Sequence, residues 1–192
     1  MTTLAGFSTR WRVRLGYPLA LACLWLARPT PGRLALGAGI AGAGLVLRGA
    51  AAGHLRKHEQ LTTSGPYAYT RNPLYLGSAL LAVGFLVACG SWIVTALLTA
   101  YFALFYPAVM RREEQELRAR YGSAFDDYAA RVPLFWPRLT FGGTSRAPGE
   151  RFSWALYRRN REYQAALGFL GAIALLWLGA IALPWLRMRL RG

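Results

Sequence analysis

Two short blocks of this 192-residue chain hold residue types that could bind and orient a small charged molecule. The first runs Gly65-Pro66-Tyr67-Ala68-Tyr69-Thr70-Arg71-Asn72-Pro73-Leu74-Tyr75-Leu76-Gly77. The second opens with Arg111-Arg112-Glu113-Glu114 and continues through Tyr121-Gly122, Tyr128 and Arg131-Val132-Pro133. Tyrosines offer stacking faces and hydroxyls, a carboxylate can take an ammonium group or hydroxyls, and a guanidinium can hold a carboxylate bidentately. Each residue also has a plainer use. Tyr67, Tyr69 and Tyr75 border apolar segments, where aromatic belts are ordinary, and Arg71, Arg111 and Arg112 stand where the loop charges of membrane proteins gather. Glu113 and Glu114 could simply favour the N-terminal dipole of a helix. A residue taken singly reads as structural.

Composition narrows the setting. Hydrophobic residues make up 55% and charged residues 16%, against about 25% charged in an ordinary soluble domain. Net charge is +15, and all but one of the 23 basic residues are Arg. These arginines flank apolar segments rather than forming one solvated face, which argues against nucleic acid as a partner and for a bilayer. Cys23 and Cys89 sit inside apolar segments with no CxxC and no Cys/His cluster, so they read as packing residues, and no metal site is expected.

The apolar segments predict about five membrane-spanning helices. Arg10, Arg12 and Arg14 precede an apolar run at 15–27 that lacks an A-x-A cleavage site and reads as a retained first helix. Residues 34–53 are rich in Gly and Ala, and Gly49-xxx-Gly53 has the spacing of a close helix–helix contact. Gly37-x-Gly39-x-x-Gly42 matches a dinucleotide-binding fingerprint in letters only, because no strand precedes it and no helix opens there. Residues 74–109 carry no charge over 36 positions. One helix of that length would be about 54 Å long, far more than a ~30 Å hydrocarbon core, so Cys89-Gly90-Ser91 is expected to break it into a hairpin. From Arg111 to Val132, apolar Leu117, Tyr121, Phe125, Tyr128 and Val132 recur every three or four residues and predict an amphipathic helix, with a break near Gly122. A Gly- and Pro-containing connector at 135–149 and a 22-residue uncharged run at 165–186 complete the chain.

With five spans and the N-terminus inside, 18 basic residues fall on cytoplasmic segments and five outside, the basic C-terminal tail among the five. Every acidic residue and both histidines fall on the same inside segments, so any chemistry is expected on that face.

In this order and spacing the two blocks resemble the isoprenylcysteine carboxyl methyltransferase family and its phospholipid methyltransferase relatives. That pattern runs roughly G-x-Y-x-Y-x-R-H-P-x-Y-x-G, then R-x-E-E, then Y-G-x-x-F/Y-x-x-Y-x-x-x-V-P. The resemblance covers about residues 45–137, and His58, five residues after Gly53, matches a further family position. It implies an all-α, polytopic integral membrane enzyme that moves a methyl group from S-adenosylmethionine to an amphiphilic acceptor at the cytoplasmic membrane face. Candidate acceptors are a prenylated cysteine carboxylate, a phospholipid amine or a similar molecule. By the resemblance, His58, Tyr67, Tyr69, Arg71, Asn72, Pro73, Tyr75 and Gly77 shape the cofactor pocket. Glu113 or Glu114 would bind the cofactor's ammonium or hydroxyls, and Arg111 or Arg112 would hold a carboxylate of cofactor or substrate. These four are the candidate catalytic residues. The family core is expected over 1–137, with a connector and an additional span over 138–192.

Two departures bear on the expectation. Asn72 stands where the family has His, although phospholipid methyltransferases carry an N-P-x-Y-x-G-S run like residues 72–78. The tail from Arg138 lies outside the shared pattern. Two other readings stay open: an NADPH-dependent membrane sterol reductase, whose family shares part of the pattern in longer chains, and a membrane scaffold of the same fold without activity. The methyltransferase reading requires that the tyrosine-rich stretch and the glutamate pair enclose one nucleoside-sized cavity.

Overall fold

A computed structural model describes residues 19, 21–57, 59–138 and 151–189, the last nine as backbone only. Its regular elements are all helical. A helical stretch α1 at 21–26 is followed by α2 (Pro31–His54), a 3-10 turn (Gly65–Ala68), α3 (Pro73–Cys89), α4 (Trp92–Tyr121), α5 (Ser123–Arg131), α6 (Trp154–Arg159) and α7 (Tyr163–Arg189). Prolines open α2 and α3, where a missing N–H costs nothing and the fixed φ suits the first turn.

Among the described residues, three helices are long and apolar enough to cross a membrane: α2, α4 and the stretch Tyr163–Ala180 of α7. Helix α3 is apolar but has only 17 residues. Of the expected first span at 15–27, residues 19 and 21–27 are described, and 21–26 are helical. The hairpin break falls where the sequence places it: α3 ends at Cys89, Gly90 takes φ +60°, and α4 begins at Trp92. The amphipathic helix expected from Arg111 does not start there. Helix α4 continues through that point to Tyr121, because residues 111–121 contain no helix breaker, and the chain turns only at Gly122 (φ +53°). The separate element is the short α5.

The chain divides into two compact units. One comprises the described parts of Met1–Ala41, Ala82–Arg112 and Gly168–Gly192. Its core joins Cys23, Ala27 and Leu34 to Ala88, Cys89, Val94 and Leu176. Gly37 and Gly84 face one another so closely that a Cβ on either would meet the other's carbonyl oxygen. The Gly37-x-Gly39-x-x-Gly42 run is thus interior helix, used for packing.

The second unit comprises Gly42–Leu81 and Glu113–Leu167. Gly44 and Gly77 bring α2 and α3 together here, while Phe125, Tyr128 and Val132 pack with Leu61 and Tyr121 as an apolar core. The small residues Gly49 and Gly53 meet aromatic rings instead of another long helix: Tyr157 lies against Gly49 and Phe152 against Gly53. A Cβ at Gly77 would stand 2.9 Å from the Gly44 carbonyl oxygen and 2.5 Å from Arg48 Cγ. Gly77→Ala is therefore expected to cost about 1–3 kcal/mol by overpacking. A lowered thermal midpoint of the detergent-solubilised protein checks it, and an unchanged midpoint would refute the close contact.

Candidate functional site

Four segments of the second unit enclose a cavity of about 360 Å³: the polar stretch after α2, the residues leading into α3, the charged end of α4, and α5. That volume lies within the roughly 300–1,000 Å³ usual for small-molecule sites.

The stretch before α3 is held rigidly from below. Thr70 Oγ1 donates to the Phe135 carbonyl at 2.9 Å, Asn72 Nδ2 donates to the Leu134 carbonyl at 3.0 Å, and Arg71 N–H donates to the Pro133 carbonyl at 2.9 Å. Arg138 N–H closes the seam on the Tyr69 carbonyl at 3.0 Å. Thr70 and Asn72 are buried, so these bonds satisfy groups that would otherwise cost free energy. This is what Asn72 does in place of an imidazole: its amide ties the turn to residue 134 while its side of the turn lines the cavity.

The 3-10 turn sends Tyr67 inward and Tyr69 outward. Tyr67 is 7% exposed and lines the cavity, whereas Tyr69 is 38% exposed and does not. Tyr128 of α5 donates its hydroxyl to the Tyr67 carbonyl at 2.7 Å. Burial pushes both phenols above the ordinary tyrosine range, so they are neutral donors at physiological pH.

Charge enters from α4. Tyr75 donates its hydroxyl to Glu113 Oε1 at 2.7 Å, which joins the start of α3 to the charged turns of α4. Arg71 and Glu114 form an ion pair whose side chains are only 15% and 19% exposed. It is poorly aligned: Arg71 Nε and Glu114 Oε1 are buried and make no hydrogen bond. A buried N–H without an acceptor is a standing cost to the fold.

Of the residues singled out in the sequence, Tyr67, Arg71, Asn72 and Pro73 line the cavity together with Tyr75, Glu113 and Glu114. Tyr69, Gly77, Arg111 and Arg112 are not part of its wall, and Gly77 instead serves the contact with α2. His58 lies outside the described residues. The sequence reading did not place Arg56, Lys57 and Arg120 at the cavity, although all three line it; their only signal was membership of polar stretches. It also passed over His54, whose Nδ1 lies 2.8 Å from the Ala50 carbonyl and whose ring packs under Gly65 and against Phe152. Among the described residues no three His, Cys, Asp or Glu side chains gather as metal ligands would.

Comparison with known proteins bears on the same segments. Residues 40–124 match the phospholipid methyltransferase family model. The cobalt-zinc-cadmium resistance protein CzcN of Cupriavidus metallidurans is 45% identical over 85 residues, 44% of this chain and 39% of that protein. The Delta(14)-sterol reductase TM7SF2 of Mus musculus is 33% identical over 78 residues, 38% of this chain and 18% of that enzyme. The protein-S-isoprenylcysteine O-methyltransferase of Schizosaccharomyces pombe is 29% identical over 113 residues, 56% of this chain and 48% of that enzyme. The chain therefore spans about two fifths of the length of CzcN and less than half of the methyltransferase. No solved structure matches.

Proposed function

Taking the phospholipid-methyltransferase segment at 40–124 as the premise, we propose that the protein is an S-adenosylmethionine-dependent methyltransferase acting on an amphiphilic acceptor at the cytoplasmic face of a membrane. The observation that carries this reading is the single cavity walled by Tyr67, Arg71 and Tyr75 on one side and by Glu113 and Glu114 on the other. The donor set suits the cofactor: a guanidinium for its carboxylate, carboxylates for its ammonium and ribose hydroxyls, and aromatic surface for its base.

When bound, S-adenosylmethionine supplies an electrophilic methyl group on a sulfonium. The chain's own contribution is placement and exclusion of water. Arg71, fixed by its backbone bond to Pro133, lines the cavity and brings a guanidinium to it. Glu113, held by the Tyr75 hydroxyl, presents negative charge from the adjoining helix. Phe125 and Tyr128, both buried, form the apolar floor. No residue has to hold a metal, because loss of the sulfonium's positive charge is favoured by an environment poorer in water than the solvent.

The setting supports an amphiphilic acceptor. The helices of membrane-spanning length among the described residues support a bilayer setting and a lipid-like acceptor, and the basic bias of the loops favours the cytoplasmic side. The match to a sterol reductase supports a rival cofactor, NADPH, for the same cavity. The paired carboxylates and the guanidinium of the wall suit the amino-acid end of the methyl donor, which NADPH lacks. Calorimetric titration of detergent-purified protein with each cofactor separates the two. Saturable S-adenosylmethionine binding is expected, with label from a radioactive methyl donor appearing in the lipid fraction of membranes. Saturation by NADPH alone would overturn the proposal.

A further inference from the structure

Arg48 is the one charge in the apolar segment at 34–53 and lies inside α2, where a partly buried guanidinium must be compensated. Its partner is Glu162, a 7%-exposed carboxylate just before α7 and well outside the segment that matches known methyltransferases. Arg48 Nε donates to Glu162 Oε1, and Nη2 donates to Oε2 at 3.0 Å, a bidentate fork. The remaining edge of the guanidinium faces α3. There Nη1 donates to the Leu74 carbonyl at 3.2 Å and to Ser78 Oγ, and Ser78 Oγ itself donates to the Leu74 carbonyl at 2.9 Å. Leu74 sits between Pro73 and Tyr75, and all three line the cavity.

The residues around Glu162 are fastened to the same end of α2. Asn160 Nδ2 donates to the carbonyls of Ala52 and Leu55 at 2.9 and 3.0 Å, which satisfies exposed carbonyls at the helix C-terminus. Ser153 N–H donates to the Gly53 carbonyl at 2.9 Å, and the rings of Phe152 and Tyr157 lie on Gly53 and Gly49. Leu55, where Asn160 caps the helix, begins the polar stretch that forms another part of the cavity wall.

We propose that residues 152–162 are a brace for the cavity, and that Glu162 acts through Arg48 as a positioning residue for the first turn of α3. This rests on the cofactor reading only for what the cavity holds. The physical reason is geometric. A carboxylate locks the guanidinium plane, and the locked plane directs Nη1 onto the Leu74 carbonyl. Without the carboxylate, Arg48 turns toward solvent and releases the turn that carries Tyr75. The tail that the family pattern omits is thereby part of the site.

The test is hydrogen exchange by mass spectrometry on the full-length protein in detergent, comparing Glu162→Ala, Glu162→Gln and Arg159→Ala with the parent. Arg159 belongs to the same segment but pairs with Glu59 at the surface, 2.7 Å away, and so controls for simple loosening of the tail. Exchange in peptides covering residues 74–80 is expected to rise about tenfold in Glu162→Ala and less in Glu162→Gln, with little change in Arg159→Ala and in peptides covering 31–41. S-adenosylmethionine affinity is expected to fall by a similar factor. Unchanged exchange at 74–80, or a uniform rise across the whole chain, would overturn the brace. Should Glu162→Ala fail to fold, Glu162→Gln decides alone on the same criteria. If the parent protein binds no S-adenosylmethionine, the cofactor reading fails, while the exchange data still decide the brace.

Discussion

Arg71→Ala is expected to weaken S-adenosylmethionine binding by about a hundredfold or more, the loss typical of removing a charge-assisted bidentate contact together with its orientation. Two effects combine. The guanidinium lines the cavity and is already held by the largely buried Glu114 carboxylate. Its removal also leaves Glu114 without its cation at 19% exposure. Breaking such a pair costs about 3 kcal/mol, the lower end for buried pairs because both groups keep some contact with water. The two effects separate in the double variant Arg71→Ala/Glu114→Gln, which removes the stranded charge. Stability should largely return while binding stays lost. Recovery of binding in the double variant would mean that Arg71 only supports Glu114. Arg71→Lys should recover little, since an ammonium keeps the charge but not the planar fork. Calorimetric titration and thermal unfolding in detergent measure both quantities.

Glu113→Gln is expected to raise the dissociation constant for S-adenosylmethionine by about ten- to a hundredfold with stability changed by no more than about 0.5 kcal/mol, as for other surface substitutions. The two glutamates differ in their surroundings, which the sequence left open. Glu114 is occupied by Arg71, whereas Glu113 is exposed and accepts a bond from Tyr75 at Oε1. Its charge is thus directed at the cavity from a fixed position. Gln keeps the acceptor for Tyr75 and removes only the charge, so a large loss of binding in a fully stable variant would assign the ammonium contact to Glu113. Equal binding by Glu113→Gln and the parent would remove Glu113 from the site. Tyr75→Phe should show a smaller loss of the same kind, because it frees the carboxylate without discharging it.

Much of the helical layout follows from local rules. An uncharged run too long for one bilayer crossing must break, and a glycine able to take positive φ marks where, as Gly90 does. The recurrence of Phe125, Tyr128 and Val132 likewise identifies an apolar face before its partner is known. The same rules misjudge residues 111–121. A change from apolar to charged composition suggests a new helix, yet nothing in the backbone interrupts α4 until Gly122.

By itself, then, the sequence determined an all-helical chain with membrane-length apolar helices, a hairpin at Gly90 and two polar blocks of methyltransferase-like spacing. Only the tertiary structure decided direction. It turned Tyr67 into the cavity and Tyr69 away, set Gly77 against α2, and separated the roles of Glu113 and Glu114. It also paired Arg48, the lone charge of α2's apolar run, with Glu162, 114 positions away. The physical reason is that spacing along a chain constrains which residues can be neighbours within one element. Which side chain meets a distant one depends on turns and on pairs that close only when separate elements pack.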